Sequence, residues 1–80
     1  MGWYVYIVEC ADTTYYTGIT TDITRRIEEH EKGTGAKYTK GRGPLNLIYQ
    51  EKCADRSSAS KREIEIKSLS KAEKLVLISS

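Results

Sequence analysis

Hydrophobic residues at the start of the chain fall in two short runs rich in aromatic and β-branched side chains. Residues 3–9 (WYVYIVE) and residues 15–20 (YYTGIT) have the composition that is typical of β-strands. Between them, residues 11–14 (ADTT) are typical of a turn. The pattern therefore predicts an antiparallel hairpin.

After this hairpin the spacing of apolar residues changes to that of a helix. Ile23 and Ile27 are four positions apart and lie on one helical face. Asp22 is a good N-cap residue, and Gly33 follows the last polar positions, which is common where helices end. We therefore expect a helix that starts after Asp22 and continues to about Glu31.

The second half of the chain predicts one more strand and two more helices. Residues 45–52 (LNLIYQEK) follow Pro44 and predict the third strand. Asp55, Ser57 and Ser58 are candidate caps for a second helix, which we expect to run to about residue 67.

Residues 70–73 (SKAE) form a capping-box sequence for a third helix, in which Leu75 and Ile78 are expected to face inward. The predicted order is ββαβαα. It indicates an α+β fold with a small three-stranded, mostly antiparallel sheet flanked by helices. We expect residues 1–80 to form a single domain.

Composition narrows the class of protein. Hydrophobic residues make up 39% and charged residues 30%, as in ordinary soluble domains. No apolar stretch is long enough for a membrane span, so we expect no membrane partner. Residues 1–9 do not have the pattern of a secretory signal, so we expect a cytoplasmic protein. Cys10 and Cys53 match no zinc spacing and are expected to be plain thiols.

The net charge of +2 is too small to argue for nucleic acid, but one segment concentrates positive charge. Residues 32–44 (KGTGAKYTKGRGP) contain four cations, four glycines and no acid. Such a segment is either a solvated loop or a phosphate-contacting loop in which an aromatic ring stacks on a base. The candidate nucleic-acid-binding residues are Lys32, Lys37, Tyr38, Lys40 and Arg42.

Residue types that suit phosphodiester chemistry occur close together near the start of the chain. Tyr6 and Tyr16 lie on the two strands of the predicted hairpin, which can present both phenols on one face. Arg26 and His30 are four positions apart and share a helical face. Together they offer a proton acceptor, a phosphate clamp and a proton shuttle, although each alone is also an ordinary strand or helix residue.

Glu63 is the candidate in the second half. Ala59, Glu63 and Ile66 form one stripe of the second predicted helix, and a carboxylate in an apolar stripe should be partnered or bound to a cation. The partner is either Ser60 in a capping box, Lys67 in an ion pair, or a metal ion. A lone carboxylate with oxygen ligands favours Mg²⁺ or Mn²⁺ over zinc.

These residues, in this order, resemble the GIY-YIG nuclease superfamily, and the small stand-alone bacterial members above all. Residues 4–6 (YVY) and 16–18 (YTG) stand in place of the two signature triplets, and the resemblance covers nearly the whole chain. Three positions depart from the pattern: Tyr4 replaces glycine, Thr17 replaces isoleucine, and Ile19 stands where excision-repair relatives have lysine. The resemblance implies that the catalytic residues are Tyr6, Tyr16, Arg26, His30 and Glu63.

The resemblance also implies a function. It indicates a metal-dependent endonuclease that hydrolyses phosphodiester bonds in DNA. In such an enzyme Glu63 would hold one Mg²⁺ or Mn²⁺ ion and Arg26 would steady the phosphate. Tyr16 is favoured over Tyr6 as the general base. Without a further DNA-binding domain we expect low sequence specificity, a branched or single-stranded substrate, and a possible role in DNA repair with a larger protein partner. The alternatives are a non-catalytic nucleic-acid-binding module and an interaction adaptor that keep the nuclease fold.

Overall fold

The computed structural model describes residues 2–32 and 44–79. It contains a three-stranded antiparallel sheet in the order β2-β1-β3 and three helices. The elements are β1 (Trp3–Glu9), β2 (Tyr15–Thr20), α1 (Ile23–Glu31), β3 (Asn46–Cys53), α2 (Arg56–Lys67) and α3 (Lys71–Ser79). The predicted α+β class and the order ββαβαα are confirmed, and only β3 is displaced, by one residue at each end.

Side chains cap all three helices as their sequences predict. The carboxylate of Asp22 accepts a hydrogen bond from the Arg25 backbone N–H at 3.1 Å, and that of Asp55 accepts one from Ser58 at 2.8 Å. At α3 the capping box is complete, because the Ser70 N–H donates to Glu73 and the Glu73 N–H donates to the Ser70 hydroxyl. These bonds satisfy backbone donors that a helix cannot satisfy itself.

The sheet separates two apolar clusters, because successive side chains of a strand point to opposite faces. On one face, here called the site face, α1 covers the first cluster, which consists of Tyr6, Val8, Cys10 and Leu45 with Tyr16, Ile23 and Ile27 against them. On the opposite face, α2 and α3 cover a cluster built around Val5, Ile7 and Ile66. Each face of this small sheet therefore has its own core.

The prediction that Leu75 faces inward is wrong. Leu75 is 48% exposed, whereas Leu77 and Ile78 pack against the cluster of the opposite face. The inner stripe of α3 consists of Lys74, Leu77 and Ile78, positions i, i+3 and i+4 of a helix. Lys74 is half-buried, and a lysine at such an edge can bury its aliphatic stem while its ammonium stays in solvent.

None of the helices within the described ranges has the length and apolar content that crossing a bilayer requires. Cys10 is buried and Cys53 half-buried, and both are free thiols, as expected from the sequence.

Candidate active site

The hairpin places two tyrosines on the site face. Tyr6 of β1 pairs with Gly18 of β2, and Val8 pairs with Tyr16. Residues directly opposite one another in an antiparallel pair share a face, so Tyr6 and Tyr16 point to the same side of the sheet. Their ring centroids are 6.5 Å apart. Tyr6 is only 1% exposed, whereas Tyr16 is half-buried.

Gly18 makes room for the Tyr6 ring. A Cβ atom built on Gly18 would lie 2.6 Å from the Tyr6 hydroxyl oxygen and 2.8 Å from its Cζ atom. It would also lie 3.1 Å from the Tyr16 ring. The phenol of Tyr6 therefore crosses β2 directly above the glycine backbone, and no other residue type leaves this space free.

Helix α1 brings an arginine and a histidine over the tyrosines. His30 is 1% exposed, and its Nε2 atom lies 2.9 Å from the Tyr6 hydroxyl oxygen. The His30 ring also meets the edge of the Tyr16 ring, with centroids 5.3 Å apart. One turn earlier, the Arg26 side chain hydrogen-bonds to Tyr6 and forms an ion pair with Glu29 at 3.1 Å.

The direction of the hydrogen bonds follows from the chemistry of the donors. Arginine has no acceptor atom, so Arg26 donates to the Tyr6 oxygen. The buried Tyr6 hydroxyl then needs an acceptor for its own proton, and Nε2 of His30 lies 2.9 Å from its oxygen. A neutral His30 ring with its proton on Nδ1 can accept that bond, which would give a series from Arg26 through Tyr6 to His30.

The pKa values of these groups fit this network. Burial raises the pKa of Tyr6 to about 12, with a further contribution from Tyr16, and the hydrogen bond from Arg26 offsets only part of the rise. Burial, aided by the charge of Arg26, lowers the pKa of His30 below its ordinary 6.5. At neutral pH, Tyr6 is therefore protonated and His30 uncharged.

Glu63 comes from α2, one of the two helices that cover the opposite face of the sheet. Its charge contributes to the raised pKa of Tyr6. The side chain is 21% exposed and forms an ion pair with Lys67 at 3.2 Å. Of the partners considered for Glu63, the structure shows Lys67. A capping box with Ser60 is wrong, because α2 is capped by Asp55 and Ser60 lies inside the helix.

The structure says less about the predicted nucleic-acid-binding residues. Lys32 follows α1 as an exposed C-cap residue. The other four, Lys37, Tyr38, Lys40 and Arg42, lie outside the described residues. Ile19 pairs with Val5 and packs into the cluster of the opposite face, so position 19 is turned away from the two tyrosines.

Comparison with known proteins decides the family. A family model for the GIY-YIG catalytic domain matches residues 2–75. The chain belongs to the GIY-YIG family. Nucleases of this family generally require a divalent metal ion and act on DNA.

Several small relatives are similar to this GIY-YIG domain. A UPF0213 protein of Desulfotalea psychrophila is 58% identical over 77 residues, which are 95% of this chain and 70% of that protein. One of Natronomonas pharaonis is 53% identical over 94% of this chain and 88% of its own length. The solution NMR structure of a UPF0213 protein from Bacillus halodurans has a TM-score of 0.63 at 48% identity, covering 99% of this chain and 84% of that one.

Two residues that shape the site were not predicted from the sequence. Gly18 was noted as part of a triplet but not as the space that the Tyr6 ring occupies. Glu29, the ion-pair partner of Arg26, was not among the candidate residues. The spacing i, i+3 between Arg26 and Glu29 was the available indication for the second. Nothing in the sequence alone showed which strand residue faces Tyr6.

Proposed function

We propose that this GIY-YIG domain is a divalent-metal-dependent endonuclease that hydrolyses phosphodiester bonds in DNA with low intrinsic sequence specificity. The observation that carries the proposal is the hydrogen-bonded series Arg26–Tyr6–His30, with Tyr16 at its side and Glu63 close enough to influence Tyr6. Tyr6, Tyr16, Arg26 and His30 come from three elements that meet on the site face, and the charge of Glu63 on α2 reaches Tyr6.

Arg26 is suited to bind the scissile phosphate. Its guanidinium makes one bond to Glu29 and one to Tyr6, which leaves further N–H donors of its fork for phosphate oxygens. Burial by itself lowers the pKa of Arg26, but the bonds to Glu29 and Tyr6 outweigh that effect and leave the pKa above its ordinary value. The side chain is therefore a permanently charged and oriented clamp for the negative charge that grows on the phosphate.

We assign the role of general base to Tyr16 and a positioning role to Tyr6. With a pKa of about 12, Tyr6 keeps its proton at neutral pH, and at 1% exposure its ring is shielded from solvent. Its hydroxyl holds Arg26 on one side and His30 on the other. Tyr16 is half-buried on the same face, so its side chain reaches solvent where a nucleophilic water approaches. His30, with its ring against that of Tyr16, orients this phenol.

The carboxylate oxygens of Glu63 suit a hard cation. Within the described ranges, no group of three or more His, Cys, Asp or Glu side chains is placed to hold a metal ion. Glu63 would therefore hold Mg²⁺ or Mn²⁺ by one carboxylate, with water and substrate oxygens as the other ligands, a mode that suits Mg²⁺ in phosphoryl chemistry. Such an ion would stabilise charge on the phosphate and the leaving oxygen.

A matched pair of variants on one ion pair tests the proposal. Glu63→Gln and Lys67→Gln both break the bond at 3.2 Å, but only the first removes the carboxylate. Plasmid nicking and cleavage of labelled branched and single-stranded oligonucleotides are measured with Mg²⁺ or Mn²⁺ and with EDTA. We expect the wild type and Lys67→Gln to cut with metal, and Glu63→Gln not to cut.

The two variants also separate catalysis from folding. An i, i+4 ion pair on a helix contributes about 0.3–0.5 kcal/mol, so both variants should lose that small amount in urea unfolding. A Glu63→Gln protein that cuts as fast as the wild type would place the metal elsewhere. A wild type that binds DNA in a salt-dependent way but cuts none of these substrates would favour the alternative of a non-catalytic binding module.

A further inference from the structure

A groove of about 510 Å³ opens on the protein surface beside the start of α1. Its walls come from β1, β3 and the turn into α1, and they include Tyr4, Gln50, Lys52 and Asp22. The volume lies within the range of about 300–1,000 Å³ that is usual for small-ligand sites. None of the residues assigned above to the reaction lines this groove.

Strand register places the groove next to Tyr6. On β3, Lys52 pairs with Tyr4, and Gln50 pairs with Tyr6. Tyr4 and Tyr6 are two residues apart on one strand, so their side chains point to the site face at a spacing of roughly 7 Å. The groove is thus the continuation of the site face beyond the part that α1 covers.

Three polar side chains of this groove are uncommitted. Within the described chain, the Lys52 ammonium, the Gln50 amide and the Tyr4 hydroxyl have no hydrogen-bond or ion-pair partner. In contrast, the cations Arg26, Arg62 and Lys67 are each paired with a glutamate. The carboxylate in the groove, Asp22, is engaged as the N-cap of α1.

An aromatic ring beside a free cation and a free amide is the combination with which proteins bind a nucleotide. The Tyr4 ring offers a stacking surface to a base, and Lys52 offers a charge to a phosphate. The Gln50 amide can donate to and accept from a base edge. Since the face of a base is open to an aromatic side chain only where the base is unstacked, this arrangement selects an unpaired nucleotide.

We propose that the groove of Tyr4, Gln50 and Lys52 holds an unpaired DNA nucleotide next to the scissile phosphate. The proposal rests on the proposed nuclease function and deepens it, because it names the substrate class as DNA with a single-stranded segment at the cleavage site. Tyr4 stacks on the base, and Lys52 binds the adjoining phosphate. The position at which this chain carries tyrosine instead of the family's glycine thus belongs to the binding surface.

Fluorescence polarisation with a short labelled DNA strand, and with the duplex of the same sequence, tests the groove. EDTA is present so that binding is measured without cleavage. Tyr4→Leu should weaken binding of the single strand about 5- to 150-fold, as expected for loss of one stacked base, while Tyr4→Phe should bind as the wild type does. Lys52→Gln should lower the slope of log K against log salt by about 0.7, as expected for one phosphate contact.

Lys74→Gln is the matched control for charge. Lys74 belongs to α3, which covers the opposite face of the sheet, and its variant should leave both affinity and salt slope nearly unchanged. Equal effects of Lys52→Gln and Lys74→Gln would overturn the proposal, as would wild-type binding by a folded Tyr4→Leu protein or tighter binding of the duplex. If Tyr4→Leu does not fold, the Lys52→Gln variant still tests the groove through its salt slope. Lys52 is exposed, so its replacement should not disturb folding.

Failure of the groove proposal differs from failure of the nuclease proposal. If the wild type cuts DNA, Glu63→Gln does not, and the groove variants bind as the wild type does, only the groove assignment is wrong. If the wild type neither binds nor cuts any of these nucleic acids, both proposals are wrong.

Discussion

Replacement of Gly18 by alanine should be far more harmful than a single added methyl group suggests. The new Cβ would lie 2.6 Å from the Tyr6 oxygen, and ordinary contact begins near 3.4 Å, so the phenol has to move by about 0.8 Å. Tyr6 is 1% exposed and is packed against Tyr16 and His30, so it has no free direction in which to move.

The cost has two parts. Overpacking a rigid core commonly costs about 1–3 kcal/mol. The Tyr6–His30 bond of 2.9 Å is lost once it lengthens by roughly 0.6 Å, and an orphaned buried partner costs about 1–3 kcal/mol. Alanine also lowers the backbone entropy of the unfolded chain, which stabilises the folded state by about 0.4–1 kcal/mol. We therefore expect Gly18→Ala to lose between about 1 and about 5.5 kcal/mol, and each kcal/mol lowers the Tm of a domain of this size by roughly 4–8 °C.

Gly2→Ala is the control for close contact as such. Its Cβ would approach a Lys52 side-chain carbon to 2.8 Å, but that atom is near the end of a flexible, exposed chain that rotates away. We expect a change within about 0.5 kcal/mol in urea unfolding. On a Tyr6→Leu background, Gly18→Ala should cost less than in the wild type, because only the 3.1 Å approach to the Tyr16 ring remains. A Gly18→Ala protein that loses no more stability than the Gly2→Ala protein would refute the predicted clash with Tyr6.

Three further predictions concern the site and the opposite face. Because burial lowers the pKa of His30, this residue takes up a proton in the unfolded chain before it does so in the folded protein as the pH falls. The free energy of unfolding should therefore be constant above about pH 6.5 and decline below it, by at most about 1.4 kcal/mol per pH unit. In urea titrations at several pH values, His30→Gln should lack this decline. Tyr6→Phe should weaken phosphate binding through a loosened Arg26 and alter the pH profile of cleavage, whereas an unchanged profile would make Tyr6 purely structural. Thr17→Val should raise the free energy of unfolding by about 1 kcal/mol, because the buried Thr17 hydroxyl has no hydrogen-bond partner among the described residues. Cleavage should be unchanged, because Thr17 lies on the opposite face of the sheet. A fall in Tm would contradict this prediction.

Local patterns in the sequence were enough to predict the elements. Asp22, Asp55 and the Ser70–Glu73 pair were identified as helix starts, and all three act as caps in the structure. Capping and strand composition depend on side chains within a few residues of the backbone groups that they satisfy, so the chain carries this information locally. The predicted inward position of Leu75 failed because the side of α3 that packs depends on where the helix lands on the sheet.

The amino-acid sequence by itself predicted the order of elements, a resemblance to the GIY-YIG family and five candidate site residues. Only the tertiary structure decided how those residues are used. It buried Tyr6 above Gly18 and beside Arg26 and His30, which raises the pKa of the phenol to about 12 and supports the positioning role that we propose for it. It also opened the groove at Tyr4 and Lys52. The physical reason is that burial and the pairing of residues distant along the chain set protonation and access, and neither is a property of local sequence.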